Sequence, residues 1–204
     1  MVRKKNPQQT RELILNVAAK LLHRHGYKGL RVDEVVEKTG LTKGALYHHF
    51  PNKKELAYAV VDELFYKTFL GHWQELLKSS GDPINVIAES FEFSRKHLSQ
   101  DELEIGCPLT NLGQEMSHED EGFRTRINNV FEDWTKLIAD LLSKGIQQGN
   151  VTPDINPTLT ARFLVSSYQG IQCNSKFSKD LNRYHDNVGY LQSIIKNLAT
   201  RAIA

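Results

Sequence analysis

The period of the apolar residues constrains this chain more than any other feature. Ile14, Val17, Ala18, Leu21 and Leu22 recur at helical spacing, the pattern of a helix with one face against a core. The same period returns in nearly every later segment, and no sustained two-residue alternation interrupts it. The expectation is an all-α chain. Thr10 is a suitable N-cap for the first helix, and Gly26 suits the left-handed position that ends it. Two short helices follow, about 32–38 and 43–49, separated by Gly40 and with Thr42 as a cap for the second. A long helix runs from Lys53 to about Ser79, with Ser80 to Pro83 as the turn after it. Further helices are expected at about 84–98, from Pro108, after a Ser117 cap, from Pro157 behind an Asn156 cap, and from Asp186 to Ile203.

Charge divides the chain unevenly. Residues 1–54 hold 12 Lys and Arg against 4 Asp and Glu, while the remainder holds 14 against 20. A basic quarter on an acidic body points to a polyanion bound at one end. No apolar run approaches the roughly 18 residues of a membrane span, so no membrane partner is expected. The basic N-terminus has no apolar segment behind it and does not read as a signal peptide. Two cysteines, Cys107 and Cys173, make no disulfide framework, and a reduced, cytoplasmic protein is expected.

The stretch GLTKGALYHHFPNKKEL, residues 40–56, carries the chemistry. Three short helices with a Gly-containing turn between the last two make a helix-turn-helix, whose final helix enters the major groove of double-stranded DNA. Lys43 can donate to guanine O6 and N7, and Ala45 can touch a thymine methyl. Gly44 allows close approach, Thr42 caps the helix, and Tyr47, His48, His49 and Lys53 can donate to phosphate. A metal pair would sit at i, i+4, but His48 and His49 are adjacent and diverge by about 100° on a helix. A catalytic reading lacks both a nucleophile and an orienting acid.

The same stretch, preceded by GYKGLRVDEVVEKT, resembles the N-terminal signature of the TetR family of transcriptional regulators. The matching residues are Gly26, Tyr27, Val32, Val35, Gly40 to Gly44, Leu46 to Phe50, Asn52 and Lys53. The resemblance implies an all-helical homodimer with a ligand-responsive C-terminal domain, and DNA contacts from Lys43, Gly44, Tyr47, His49 and Lys53. Arg31 departs from the pattern, because the family commonly has Ser or Thr there as a helix cap. A guanidinium only donates, so that cap is lost, and Arg31 is left to reach a phosphate or base.

The body is expected to receive a small molecule between its helices, with Phe69, Trp73, Phe91, Phe131 and Trp134 as its apolar lining. Cys107 precedes Pro108 at a helix start, where a thiol can become more acidic and more reactive. The segment EIGCPLTNLGQEMS also resembles a GC-x-x-x-N-L-x-x-E pattern of the TetR subgroup that includes the repressor of N-ethylmaleimide reductase, in which a cysteine of this region responds to electrophiles. The alternative is an inert, buried cysteine. The last two helices suggest a dimer interface: Ser167 and Gly170 on a small-residue face, and Leu191, Ile195 and Leu198 as an apolar stripe.

The sequence therefore divides into a helix-turn-helix domain, 1–55, and a ligand-binding and dimerisation domain, 56–204. It reads as a repressor that binds a palindromic operator and is released by an apolar or electrophilic effector, with no catalysis, cofactor or metal. A cysteine-dependent enzyme, or an interaction module that keeps the helix-turn-helix shape, is the alternative.

Overall fold

The computed structural model describes residues 6–77 and 81–200, without the side chains of His72 and Leu76. The expected helix end at Ile203, and Ser79 and Ser80, lie outside them. The described residues form eleven α-helices, and their only β pairing is an isolated bridge between Val151 and Ala199. The fold is all-α. None of the described helices is long and apolar enough to cross a membrane.

The helices are α1 (Pro7–Gly29), α2 (Val32–Thr39), α3 (Lys43–His49), α4 (Lys53–Ala59), a π-helical turn (Val60–Phe65), α5 (Tyr66–Leu77), α6 (Pro83–His97), α7 (Gln100–Ile105), α8 (Pro108–Met116), α9 (Glu121–Gln147), α10 (Pro157–Ser178) and α11 (Leu181–Lys196). The first helix starts earlier than expected. Asn6 caps it by accepting from the Gln8 N–H at 3.1 Å, with Pro7 in the first turn, and Thr10 lies buried inside it. Asp120, rather than Ser117, caps α9 by accepting from the Phe123 N–H at 3.1 Å. Ser99 and Glu102 form a reciprocal capping box that starts α7, a helix the apolar period alone did not indicate.

The chain forms two compact units, residues 1–68 with 108–128, and residues 69–107 with 129–204. The segment 1–55 lies within the first unit, which also holds α8 and the first turns of α9. Its core is built from Ile14, Leu15, Ala18, Leu21 and Leu22 of α1, Val35 of α2, Leu46 of α3 and Leu56 of α4. Leu109, Leu112 and Met116 of α8, with Phe123 and Ile127 of α9, add to the buried set. Gly26 breaks α1 near its end with φ 70° and ψ −177°, a backbone state that strongly favours glycine.

The second unit is larger and its core is richer in aromatics. Trp73, Phe91, Trp134, Tyr168 and Tyr184 are all buried, with Ile87, Leu103, Ile138, Leu142 and Leu164. Helix α11 packs against α6 and α10. Leu191 and Ile195 are 2% and 0% exposed there. This corrects the expectation for the α11 stripe: Leu191 and Ile195 serve the subunit's own core, because an apolar face seeks the nearest apolar surface and the helices packed against α11, α6 and α10, provide it. Leu198, beyond the end of α11, is half-buried.

Candidate nucleic-acid interface and effector core

Local chemistry fixes the helix-turn-helix. Gly40 closes α2 in the left-handed conformation, φ 64°. Thr42 then caps α3, its hydroxyl accepting from the Ala45 N–H at 3.2 Å. Leu46 is fully buried, and Phe50 at the end of α3 is 2% exposed, with the Arg11 guanidinium 5.0 Å from the centre of its ring. These inward residues settle which face looks out. Lys43, Gly44, Tyr47 and His48 lie on the exposed side, flanked by half-buried Ala45 and His49. Tyr47 is 44% exposed despite its large ring.

Gly44 needs no special backbone angle, and among the described residues, adjacent ones and the helix's own backbone aside, a Cβ there would meet nothing nearer than the Thr42 hydroxyl at 4.0 Å. The space above it is therefore open to a partner that comes close to the helix. His48 and His49 meet edge to face, their ring centres 5.4 Å apart. Among the described residues no group of three His, Cys, Asp or Glu could hold a metal ion.

Two of the expected DNA contacts have partners within the protein. The Lys43 ammonium lies 2.6 Å from the Asp33 carboxylate, which ties α3 to the first turn of α2. Hydrogen bonding within this pair holds the Asp33 carboxyl below its ordinary range and raises Lys43. Lys53 turns back over the Tyr27 ring, 4.6 Å from its centre, and its ammonium donates to the Lys28 carbonyl at 3.4 Å. Partial burial lowers its pKa. Arg31 is exposed at the start of α2, which has no side-chain cap, as the chemistry of guanidinium requires.

The expected effector residues form one aromatic cluster in the second unit. Phe69 meets Phe131 and Trp134 edge-on at 6.0 and 4.9 Å. Trp73 lies 5.4 Å from Phe91 and 5.7 Å from Trp134. Tyr168, which sequence reasoning missed, joins them 5.1 Å from Phe91. Its hydroxyl lies 3.1 Å from that of Tyr184, and the Gln172 amide donates to it at 3.3 Å. Burial pushes both phenols up. Tyr168, Gln172 and Ser175 fall at i, i+4 and i+7, polar residues on the inward side of α10, and that spacing was the available signal. The Trp134 indole N–H and Ser175 hydroxyl are buried without a hydrogen-bond partner among the described residues. Cys107 is 8% exposed, close enough to Tyr168 to contribute to the raising of its hydroxyl.

A different apolar face lies open. Leu159, Phe163 and Phe177 of α10 are 61, 60 and 74% exposed, and Tyr190 of α11 is 71% exposed. With Ser166 and Gly170 the α10 residues repeat at i, i+4, i+7, i+11 and i+18, one continuous stripe. Among the described residues, adjacent residues and the helix's own backbone aside, nothing lies within 4 Å of a Cβ placed on Gly170 or Gly189. Ser167 is half-buried beside the stripe.

Comparison with known proteins agrees with this architecture. A family model described as bacterial regulatory proteins, tetR family, matches residues 14–60, and one described as tetracyclin repressor-like, C-terminal domain, matches residues 83–190. An uncharacterised HTH-type transcriptional regulator in the lacX 3′ region of Lactococcus lactis subsp. lactis is 28% identical over 96% of this chain and 98% of its own. The A-factor receptor protein of Streptomyces griseus is 28% identical over 86% of this chain, which spans 58% of that relative. The structure of reduced NemR from E. coli has the same fold, with a TM-score of 0.84 and 22% identity over 96% of this chain and 99% of that one. Two family models, one on the helix-turn-helix and one on the helical body, agree with the fold in which they lie: the chain belongs to the TetR family of transcriptional regulators.

Proposed function

We propose that this protein is an effector-responsive repressor that binds a palindromic operator as a homodimer. The outward face of α3 carries the reading: Lys43, Gly44, Tyr47 and His48 are exposed together on a helix whose other side is fixed by Leu46. Residues 1–55 supply the DNA contacts, from Arg31, Thr42, Lys43, Gly44, Ala45, Tyr47, His48, His49 and Lys53. Residues 56–204 receive the effector and the second subunit. One helix-turn-helix reads one half-site, so the operator is two-fold symmetric when two subunits bind it.

The exposed stripe of Leu159, Phe163 and Phe177, with Tyr190, supports a dimer through α10 and α11. Apolar side chains of this size exposed in a row favour burial against a partner. Ser167 and Gly170 border that stripe and let a second helix approach. The effector is a small apolar or electrophilic molecule received among Phe69, Trp73, Phe91, Phe131 and Trp134, with Cys107 and the Tyr168 hydroxyl at the polar side. It releases the operator by binding one arrangement of the dimer better than the other. The protein acts in the cytoplasm, and no catalysis is assigned to it.

Selection of bound fragments from genomic DNA tests the reading. The expected result is a short palindrome bound with an affinity that falls steeply with salt, through counterion release. A protein that enriches no sequence, and whose weak binding has no salt dependence, overturns it.

A further inference from the structure

The GC-x-x-x-N-L-x-x-E pattern ends on Glu115, in the last turn of α8. Its carboxylate accepts two backbone hydrogen bonds, from the Tyr27 N–H and the Lys28 N–H, each at 2.7 Å. Those two amides follow the break at Gly26. A helix interrupted there leaves donors without the usual carbonyl four residues back, and Glu115 takes the place of a local cap from 88 residues further along the chain. The fit is close. A Cβ on Gly26 would collide with the Glu115 Oε2 and sit 3.0 Å from its Cδ, and φ at Gly26 is +70°. A side chain at 26 would displace the carboxylate from the place where it accepts from the two amides.

Other contacts tie the same two segments. The Lys28 ammonium lies 2.6 Å from Glu119. The Tyr27 ring packs edge-on against Phe123, centre to centre 4.9 Å, with Lys53 also 4.6 Å from the ring centre. Tyr58 of α4 donates to Asp120, the cap of α9. Among these α8–α9 side chains Glu115 is the one that holds the α1 backbone, and the backbone it holds leads directly through Leu30 and Arg31 into α2 and α3. Helix α8 follows Cys107, the last residue of the second unit's segment 69–107.

We propose that Glu115 is a positioning residue for DNA recognition: by capping α1 at its break it fixes the tilt of the reading helices on the α8–α9 segment, and so sets the half-site spacing that the protein accepts. The proposal rests on the DNA-binding reading above. A two-subunit reader meets successive half-sites about one helical turn, 34–36 Å, apart or at multiples of that distance. A head held at one tilt rejects operators whose spacer is a base pair too long or too short. A head freed at α1 follows the displaced half-site.

The test uses the full chain and its selected operator, with duplexes whose spacer is shortened or lengthened by one and two base pairs. Affinities are measured by fluorescence anisotropy at one salt concentration for the wild type, Glu115→Gln, Glu115→Ala and Glu119→Ala. The wild type is expected to reject the one-base-pair changes by at least about tenfold, and Glu115→Ala by less than about threefold. Glu115→Gln keeps one acceptor oxygen and falls between them. Glu119→Ala loses a surface ion pair alone and discriminates as the wild type does. A structural role without positioning would weaken binding to all spacers equally. That result, or a wild type indifferent to spacing, overturns the proposal. If Glu115→Ala is unfolded by circular dichroism, Glu115→Gln decides: unaltered discrimination in it also overturns the proposal. A wild type that binds no DNA instead overturns the DNA-binding reading on which this one stands.

Discussion

Lys43 of α3 reaches Asp33 of α2 at 2.6 Å, so the side chain best suited to reading a base edge is held by a carboxylate of its own protein. Both residues are exposed, and an ion pair in water is worth little, so a guanine or a phosphate can take the ammonium over. Asp33→Asn removes the competitor and a charge that repels DNA. It is expected to tighten binding to any duplex by about threefold or more at low salt, with the gain shrinking as salt rises. Lys43→Ala is expected to cost about 1–3 kcal/mol at one base pair of the operator and little at the others. Anisotropy titrations against single-base variants of the operator check both. An Asp33→Asn protein with unchanged affinity would mean that the pair persists on DNA.

Lys53 carries two tasks that substitution can separate. Its ammonium and stem lie over Tyr27, a contact worth about 0.5–1 kcal/mol at a surface site, and the same ammonium is the group proposed to contact phosphate. Lys53→Ala should lower the melting temperature slightly, weaken all sequences alike and reduce the salt slope by about one. Lys53→Met keeps the stem over the ring. It is expected to recover part of the melting temperature and none of the slope. Recovery of both would show that Lys53 makes no phosphate contact.

The helix-turn-helix was legible in the sequence because its signals are local. Gly40 and Thr42 act within a few residues of where they stand, and each ends or caps a helix as expected; Asn52 acts as locally, but as the cap of α4. The same locality accounts for smaller errors: Asn6 with Pro7 is a better start than Thr10, and Asp120 a better one than Ser117. What local reasoning did not reach is partnership at a distance. The stripe of Leu191 and Ile195 showed that α11 buries a face, but periodicity does not name the surface that covers it, and helices of the same chain, α6 and α10, pack against α11. Glu115 looked like one of many helix glutamates until the fold brought it to Tyr27 and Lys28.

The two apolar faces of α10 and α11 separate assembly from folding. Phe163 is 60% exposed, whereas Ile195 is 0% exposed. Phe163→Glu places a charge where a second subunit is proposed to sit. It should give a helical monomer by light scattering, with lost operator binding and a nearly unchanged urea midpoint when extrapolated to low protein concentration. Ile195→Glu buries a charge with no partner and is expected to cost more than about 3 kcal/mol, so this variant fails to fold well at all. A Phe163→Glu protein that remains a dimer would move the interface elsewhere.

Tyr58 predicts a loss of stability in alkali. Burial first, then its hydrogen bond to Asp120, pushes its hydroxyl up to about 12 from an ordinary 10. Between those values the folded protein keeps a proton that the unfolded chain has lost. The stabilisation is thus complete below pH 10 and falls away as pH rises toward 12, on the order of 2 kcal/mol across the window. Other buried tyrosines titrate as well, so the quantity to compare is the difference between the wild type and Tyr58→Phe in urea melts from pH 9 upward. That difference should shrink as pH rises. A constant difference would mean that the phenol titrates normally.

Cys107 and Cys173 differ in a way that decides between two kinds of effector. Cys107 is 8% exposed, near the buried Tyr168, while Cys173 is half-buried. A thiolate attacks an electrophile only where the reagent reaches it, so alkylation of Cys107 waits for the core to open. Its rate with N-ethylmaleimide should therefore lie below that of a free thiol and level off at high reagent concentration, where opening becomes limiting. Once formed, the adduct adds bulk beside Tyr168 in a core already filled with side chains, and it favours whichever arrangement leaves the core open. On the covalent reading, Cys107→Ser binds operator normally and no longer releases it on treatment, and Cys173→Ser behaves as the wild type. Release that persists in Cys107→Ser would instead make Cys107 a packing residue. The effector would then be a reversible ligand of the aromatic cluster, and quenching of the only two tryptophans, Trp73 and Trp134, would report its binding directly.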